Sequence, residues 1–350
     1  MMSKRLSAID FLRVLCMANV ILGHVTSAFV YVESQYLFFG MNLAFLLNQA
    51  TRFSVSLFVL LSGFSLGISR KQESYGTFIR GRALRVLIPY AVWTLLYELF
   101  NVDFDLGAFA AKLSNPLWLL RVFLTGQAAP HLYFIPIIFQ LYLLYPLLRR
   151  WVDRSPGQAV LWSLVITFSL QSLNYLNSLG LAPSIQSYSF WCSFPVWMFY
   201  FVAGMALQRL DYPALCRRCR ENAWPLTTLF LVFILVFSCL SSYTGNVDSI
   251  KPAIQIFVPL TFFFGVGFWE RLRPGPRAEA VVARFSAWSM DIYYCHVIIL
   301  CWLRRIPRFN VGMSGMLMLL LSTTLLAILF AALWGLVKGK FKSARKRQLA

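Results

Sequence analysis

The sequence predicts an all-α fold, a polytopic membrane helix bundle of about ten transmembrane helices with both termini in the cytoplasm. Three observations lead to this prediction. Of 350 residues, 59% are hydrophobic and only 13% are charged, whereas soluble domains carry about 25% charged residues. Apolar segments long enough to cross a bilayer recur along the whole chain. Between them, basic residues gather in short clusters, as they do in the cytoplasmic loops of membrane proteins.

Ten apolar segments are the predicted spans, and the stretches between them are too short to hold a soluble domain. They are 8–31, 51–69, 85–101, 132–149, 158–177, 190–208, 224–243, 252–269, 286–303 and 313–337. We therefore expect residues 1–350 to form a single integral-membrane domain. Residues 104–131 are the exception, because their apolar part, 117–124, is shorter than the roughly 20 residues that a span requires. Their placement stays open.

The net charge of +19 fits a membrane topology better than nucleic-acid binding. One basic cluster, 4–5, precedes the first predicted span, and five more follow every second span, at 70–85, 149–154, 209–220, 271–284 and 338–347, all on the side predicted to be cytoplasmic. The chain has no separate basic domain and no RNA-binding aromatic motif, so no nucleic-acid partner is expected. The expected location, the cytoplasmic (inner) membrane of a bacterium, is implied by the family resemblance given below.

The first apolar segment is predicted to be a retained helix, not a cleaved signal peptide. Asp10 and Arg13 interrupt it, and no Ala-x-Ala cleavage site follows. Arg13 and His24 are eleven residues apart, which is three helical turns plus about 20°, so both belong to one helical face. Ionisable groups inside a membrane are costly and often functional. Two interpretations remain open: a structural ion pair of Asp10 with Arg13 plus a hydrogen-bonded His24, or a site in which His24 is a general base.

Three positions near the next two spans are further candidates. Arg52 begins the second predicted span, where it is either an interfacial cation or part of a site. Ser62 precedes Gly63 deep in that span, and small residues there favour close helix packing over a nucleophilic serine. Arg82 and Arg85 are three residues apart at the cytoplasmic end of the third span. Their guanidinium groups match phosphate geometry, although such residues also occur as ordinary topological charges.

Only three histidines occur in the chain, His24, His131 and His296. His131 lies at the outer start of the fourth predicted span. His296 shares a helical face with Ser289 and Tyr293. Each of these residues is individually more typical of a structural role, and together they are supporting candidates.

A metal site is not expected. Cys216 and Cys219 are the one close pair among seven cysteines, and zinc needs four ligands. No second pair and no histidine is near them in the sequence. The cysteines are therefore predicted to behave as small apolar residues.

Taken together, these segments resemble the acyltransferase 3 family of bacterial integral-membrane acyltransferases. The resemblance covers essentially the whole chain and rests on a combination of elements that are each weak alone. They are the Asp10-x-x-Arg13 to His24 helix, the Leu57-Phe-Val-Leu-Leu-Ser-Gly-Phe64 segment, residues 80–89 with Arg82-x-x-Arg85, residues 289–296, and His131-Leu-Tyr-Phe, in which Tyr133 replaces a more usual Trp.

The resemblance implies that acetyl-CoA or another acyl-CoA is used from the cytoplasm and that a hydroxyl is acylated at the outer side. It assigns His24 as the catalytic base and Arg13, paired with Asp10, as its essential partner. Arg82 and Arg85 would hold the CoA phosphates. The chain is expected to lack the additional esterase-like domain of some members, so any acyl relay would finish within the bundle or on another protein.

The leading hypothesis is a membrane O-acyltransferase that modifies a polysaccharide or a lipid-linked glycan. Its expected partners are membrane lipid, the glycan acceptor, the acyl-CoA donor, and a polysaccharide synthase or export complex. One alternative is a permease or exporter of glycans or acyl groups that performs no chemistry, although no inverted repeat is evident. A second is a scaffold in a synthase complex. The sequence leaves open the acceptor, the choice of acetyl or succinyl, a covalent relay and the oligomeric state.

Overall fold

The computed structural model describes residues 6–31, 37–38, 41–68, 74–182, 188–246 and 248–348. Within this part the fold is all-α, as predicted, apart from a minimal antiparallel pairing of β1 (Leu37–Phe38) with β2 (Met41–Asn42), in which Leu37 is opposite Asn42. Four basic residues of the predicted cytoplasmic clusters, Lys4, Arg5, Arg70 and Lys71, lie outside the described residues.

The described residues form fifteen α-helices and two 3-10 helices. The α-helices are α1 (Ser7–Ser27), α2 (Leu43–Ala50), α3 (Ser54–Ile68), α4 (Tyr75–Asn101), α5 (Leu106–Leu113), α6 (Pro116–Thr125), α7 (Phe134–Arg154), α8 (Pro156–Ser178), α9 (Tyr188–Trp191), α10 (Met198–Leu207), α11 (Tyr212–Glu221), α12 (Ala223–Tyr243), α13 (Ile254–Leu272), α14 (Pro276–Leu303) and α15 (Gly312–Gln348). The 3-10 helices are Phe194–Val196 and Pro307–Asn310.

The protein is a multi-pass membrane protein. Among the described residues, six segments are long and apolar enough to cross a membrane, and they are Ser7–Ser27, Leu43–Gly67, Tyr75–Asn101, Pro156–Ser178, Ala223–Tyr243 and Gly312–Lys340. The remaining predicted spans are shorter, interrupted or more polar. Ten spans and cytoplasmic termini therefore stay predictions.

The second span was predicted to begin at residue 51, but the corresponding apolar helical segment is Leu43–Gly67. A separate helix, α2, precedes residue 51, and residues 51–53 form a turn between α2 and α3. The Thr51 hydroxyl donates to Asn48 O at 2.7 Å and the Ser54 hydroxyl donates to Thr51 O at 2.7 Å. Such side-chain bonds to the backbone compete with the helical ladder. The break places Arg52 within a candidate span, between two helices.

The sixth predicted span, 190–208, is not one continuous helix. Its helical part, α10, has ten residues, which extend about 15 Å, half of a bilayer core. Pro195 lies in the 3-10 turn before it and has no N–H to donate. The Gln140 side chain satisfies backbone groups of this break, because its Nε2 donates to Cys192 O at 2.7 Å and its Oε1 accepts from Phe194 N at 3.1 Å.

The segment 104–131, whose placement the sequence left open, forms two short helices. These are α5 and α6, of eight and ten residues. Both begin with a side-chain cap: Asp105 Oδ1 accepts from two backbone N–H groups of α5, and Asn115 Oδ1 accepts from Trp118 N. Neither helix is long enough to span a bilayer, which agrees with the sequence.

The chain divides into two compact units. The first unit comprises Met1–Ser54, Leu231–Gly245 and Phe268–Ala350, and the second comprises Val55–Phe230 and Asn246–Gly267. In the first unit, α1 packs against α2, α14 and α15. Near the start of α1, the Phe11 ring stacks on Trp269 with centroids 4.9 Å apart. The expectation that residues 1–350 form a single domain stays a prediction.

In the second unit, two glycines allow α3 and α10 to approach closely. A Cβ atom on Gly63 would lie 2.1 Å from Phe201 O, and one on Gly204 would lie 2.0 Å from Leu60 O. No side chain fits at either position, so the backbones of the two helices touch. The small residue beside Ser62 therefore serves helix packing, the alternative that the sequence favoured.

Candidate functional site

The Asp10 carboxylate is buried within the first unit and accepts hydrogen bonds from Arg13 and Ser286. Only 4% of Asp10 is exposed. Its Oδ1 atom accepts from Arg13 Nη1 at 3.3 Å and from the Ser286 hydroxyl at 2.6 Å. The pairing of Asp10 with Arg13 is the one that the helical spacing predicted. Ser286 was missed, because a single serine in an apolar segment has no distinctive sequence signal. We name Asp10, Arg13 and Ser286 the aspartate cluster.

Three turns further along α1, His24 meets His296 of α14. The two ring centroids are 5.3 Å apart and the rings are tilted by 51°. His296 is only 1% exposed, and His24 is half-buried. The spacing within α14 predicted that Tyr293 shares the face of His296, and their rings lie 6.2 Å apart. Ser289, the third predicted member of that face, donates its hydroxyl to Ser286 O at 2.8 Å.

Arg52 is held by α2, in the same unit as His24. Its Nη2 donates to Asn48 Oδ1, while Asn48 Nδ2 donates to Gly23 O at 2.8 Å. Asn48 and the neighbouring Gln49 are fully buried, and Gln49 Nε2 donates to Asn48 Oδ1 at 3.3 Å. Arg52, which is half-buried, is therefore bonded to a buried polar network.

We name His24, Asn48, Arg52 and His296 the histidine cluster. The sequence analysis singled out three of its members but missed Asn48. The available signal was the pair of adjacent amides, Asn48 and Gln49, within an apolar stretch. Buried amides of this kind require hydrogen-bond partners. Here the partners are Arg52, the backbone beside His24, and the hydroxyl of Thr26, which lies 3.3 Å from Asn48 Nδ2.

In the second unit, Arg82 and Arg85 line a cavity of about 490 Å³. We name it the arginine cavity. Its walls are Leu66, Tyr75, Phe78, Arg82, Arg85, Tyr145, Pro146, Arg149, Arg150 and Asp153. The sequence analysis treated Arg149 and Arg150 only as topological charges. It could not show that the end of α7 joins the start of α4, because nothing in the local sequence reports that contact.

Aromatic rings support the arginines of this cavity. The Arg82 guanidinium lies 5.4 Å from the Phe78 centroid, and Phe78 stacks on Tyr145 with centroids 5.2 Å apart. Arg149 Nη1 donates to the Tyr145 hydroxyl at 2.8 Å. Guanidinium groups held over rings in this way keep their N–H donors available for an anion.

Asp153 is the one carboxylate among the residues that line the arginine cavity. Its Oδ2 lies 3.8 Å from Arg149 Nε, and its Oδ1 accepts from Arg209 Nη2. With four arginines against one aspartate, the lining carries an excess of positive charge. Together with the aromatic wall, this composition suits a phosphorylated, partly planar molecule.

The other two predicted positions lie in the second unit. The Ser62 hydroxyl donates to Phe58 O of its own helix at 2.8 Å, a common structural bond. His131 is buried just before α7, and its ring meets Tyr97 edge-on with centroids 5.3 Å apart. Within the parts of the chain that the structure describes, no group of three His, Cys, Asp or Glu residues is arranged to hold a metal ion.

Comparisons with known proteins identify the family to which the chain belongs. The family model described as "Acyltransferase domain", which represents the acyltransferase 3 family, matches residues 6–333. A relative from Bacillus subtilis (strain 168), the "Putative membrane-bound acyltransferase YfiQ", is 20% identical over 300 residues, which are 83% of this chain and 80% of the relative. No solved structure matches the chain significantly. Because the family model covers nearly the whole chain, the protein belongs to the acyltransferase 3 family of membrane-bound acyltransferases.

Proposed function

We propose that the protein is an O-acyltransferase that moves an acyl group, above all acetyl, from acyl-CoA to a hydroxyl of a polysaccharide or lipid-linked glycan. Family membership supplies the reaction type. The single structural observation that carries the choice of donor is the arginine cavity, in which four guanidinium groups surround an aromatic wall. The donor is thus inferred from the chemistry that would bind it.

The arginine cavity suits the nucleotide end of CoA. That end has a planar adenine and several phosphate groups, and arginine forks bind phosphate oxygens in pairs. We propose that Arg82, Arg85, Arg149 and Arg150 bind the phosphates and that Phe78 or Tyr145 stacks on the base. Arg85 and Arg150 are exposed, so they would also attract the anion from solution.

The same cavity supports a topology. Arg82 and Arg85 belong to the first half of α4, and Arg149 and Arg150 belong to the end of α7. Their shared lining means that these two helix ends lie on one side of any membrane that both helices cross. Lys and Arg are enriched on the cytoplasmic side, where CoA is also present. We therefore propose that the arginine cavity opens to the cytoplasm of a bacterial cell, at its inner membrane.

For the chemical step we propose His24 as the general base. The acceptor hydroxyl gives its proton to His24 as its oxygen bonds to the acyl carbonyl carbon. The carbon–sulfur bond then breaks, and the departing CoA thiolate takes the proton from His24. Arg52 is the proposed donor to the oxyanion that forms between these events. Arg13 and Asp10 are proposed to hold α1 against α14 so that His24 stays in position.

The test is acyl transfer by purified protein in detergent with labelled acetyl-CoA and a glycan acceptor. The His24→Ala variant should lose about 100-fold or more of the turnover, the usual contribution of a general base. Asn19→Ala is the matched control, because Asn19 belongs to the same helix and its amide donates to Leu15 O of that helix at 2.8 Å. Transfer that is equally fast in His24→Ala would overturn the assignment.

The same preparation separates the alternatives that the sequence left open. A transporter would move a glycan into liposomes without covalent change, whereas an acyltransferase works in detergent without any gradient. Mass spectrometry of surface glycans from a deletion strain would identify the acceptor. It would also distinguish the loss of an acetyl substituent from the loss of a succinyl one.

A further inference from the structure

His296 has a defined protonation pattern because of where its Nδ1 atom lies. This atom is 2.8 Å from Tyr293 O and 3.1 Å from Ile292 O, one turn back along α14. Both neighbours are backbone carbonyl oxygens, which only accept hydrogen bonds. A hydrogen atom must therefore sit on Nδ1. In a neutral imidazole the other nitrogen, Nε2, then has a lone pair and acts as an acceptor.

The ring of His24 is the side chain on α1 that faces this acceptor. The ring centroids are 5.3 Å apart, a separation that one bridging water can span. Arg52 is a cation with donors only, and the Oδ1 of Asn48 already accepts from Arg52 and Gln49.

We propose that His296 is a positioning residue that sets the tautomer of His24, an inference that rests on the proposed function for its catalytic consequence. In this proposal a bridging water accepts the N–H of one His24 nitrogen and donates to His296 Nε2. The second nitrogen of His24 then keeps its lone pair and is the atom that takes the proton from the acceptor hydroxyl. Bases in acyl-transfer enzymes are commonly oriented by a third group in this way.

The arrangement also fits the proton balance of the reaction. Once His24 has taken the proton of the glycan hydroxyl, its ring is an imidazolium and both ring nitrogens are hydrogen-bond donors. The unprotonated Nε2 of His296 remains a hydrogen-bond acceptor at this stage of the reaction. The link between His24 and His296 is therefore kept. The proton leaves with the CoA sulfur, and His296 ends the cycle as it began, with its own hydrogen on Nδ1.

The small number of histidines makes this inference directly measurable. The chain has three, so protein labelled with 15N in histidine gives only three pairs of ring signals, whose shifts distinguish the two tautomers. In the unmodified protein we expect His24 and His296 each to show a single tautomer, with the hydrogen of His296 on Nδ1. In His296→Phe, which keeps a ring of similar size without an acceptor, His24 should become a mixture of tautomers.

A matched pair of variants separates positioning from packing. The amide of Gln reaches the place of His296 Nε2, whereas the shorter Asn reaches only the place of Nδ1. His296→Gln should therefore retain a single His24 tautomer and most of the turnover. His296→Asn and His296→Phe should lose roughly 100-fold in kcat, with the KM for acyl-CoA unchanged. Should His296→Phe fail to fold, His296→Asn carries the same test.

Two results would overturn the proposal. One is an unchanged His24 tautomer in both His296→Phe and His296→Asn. The other is a hydrogen on Nε2 of His296 in the unmodified protein. The spectra need no substrate, so they decide the positioning role even if the protein transfers no acyl group, and a failure of the proposed function is seen separately in the transfer assay.

Discussion

The histidine cluster and the arginine cavity hold their arginines in opposite ways. Arg52 donates to Asn48, which is itself fully buried and bonded to the backbone of α1. Arg82 instead lies over aromatic rings. A charge held by buried polar partners is fixed in place, whereas a charge over a ring can adjust to an incoming anion. The first arrangement suits a chemical step and the second suits binding.

The aspartate cluster extends the comparison. Asp10 is buried and has two polar partners from two helices, Arg13 and Ser286. Asp153 in the arginine cavity is exposed and has two arginine partners. The buried Asp10 carboxylate depends on its polar partners because water hardly reaches it, whereas an exposed charge such as Asp153 is screened by solvent. Substitutions in the two regions should therefore differ in both size and kind.

The largest effect is expected from Asp10→Ala. It removes the charged acceptor of two hydrogen bonds, from Arg13 and from the Ser286 hydroxyl, at a cost of about 3 kcal/mol. We expect a marked fall in the thermal midpoint in detergent and a loss of acyl transfer through kcat. Ser286→Ala is the companion variant, and it should cost only about 1 kcal/mol because Arg13 keeps its partner. Equal losses in the two variants would mean that the ion pair contributes nothing.

The next effect concerns the arginine cavity. Arg82→Gln and Arg149→Gln should each raise the KM for acyl-CoA roughly tenfold and leave kcat nearly unchanged, because each loses a charged contact of about 1.4 kcal/mol to phosphate. The double variant should combine the two losses. Initial rates over a range of donor concentrations measure this. Arg154→Gln is the control, since Arg154 lies at the same end of α7 as Arg149 but is not part of the cavity lining. A fall in kcat alone would contradict the binding role.

A packing change in the second unit should affect neither site directly. Gly204→Ala puts a methyl group where the Leu60 carbonyl of α3 lies, and overpacking of this kind costs about 2 kcal/mol. The expected result is a lower thermal midpoint, with the KM for acyl-CoA of the folded protein close to that of the unmodified protein. Gly180→Ala is a poor control because its φ is +74°, so Gly157→Ala, which has open space around it, is preferred.

The smallest effect has the opposite sign. Asp153→Asn removes the one carboxylate among the lining residues and frees Arg149 for an anion. We expect the KM for acyl-CoA to fall about two- to threefold, a change below 1 kcal/mol because the site is exposed and screened. The difference should diminish as salt is added. A rise in KM would show that Asp153 orients Arg149 for binding. The arginine cavity would then resemble the histidine cluster, in which a polar side chain fixes the arginine.

The sequence analysis recovered much of the candidate site because several of its relations are local. Asp10 with Arg13 and His296 with Tyr293 are pairs on single helices, and helical periodicity reports such neighbours. It missed Asn48, Ser286, Arg149 and the turn at Arg52. These depend on contacts between helices far apart in the chain, or on a break caused by side-chain hydrogen bonds that a hydropathy pattern does not reveal.

By itself, the sequence determined that this is an all-α, multi-pass membrane protein, and that Asp10, Arg13 and His24 share one helix. Composition and periodicity suffice for this because the bilayer demands long apolar helices whatever their neighbours. Only the tertiary structure decided that His24 faces His296 and that the start of α4 and the end of α7 form one cavity. Helix packing settles such pairings, and it depends on the shapes of all the surrounding side chains together.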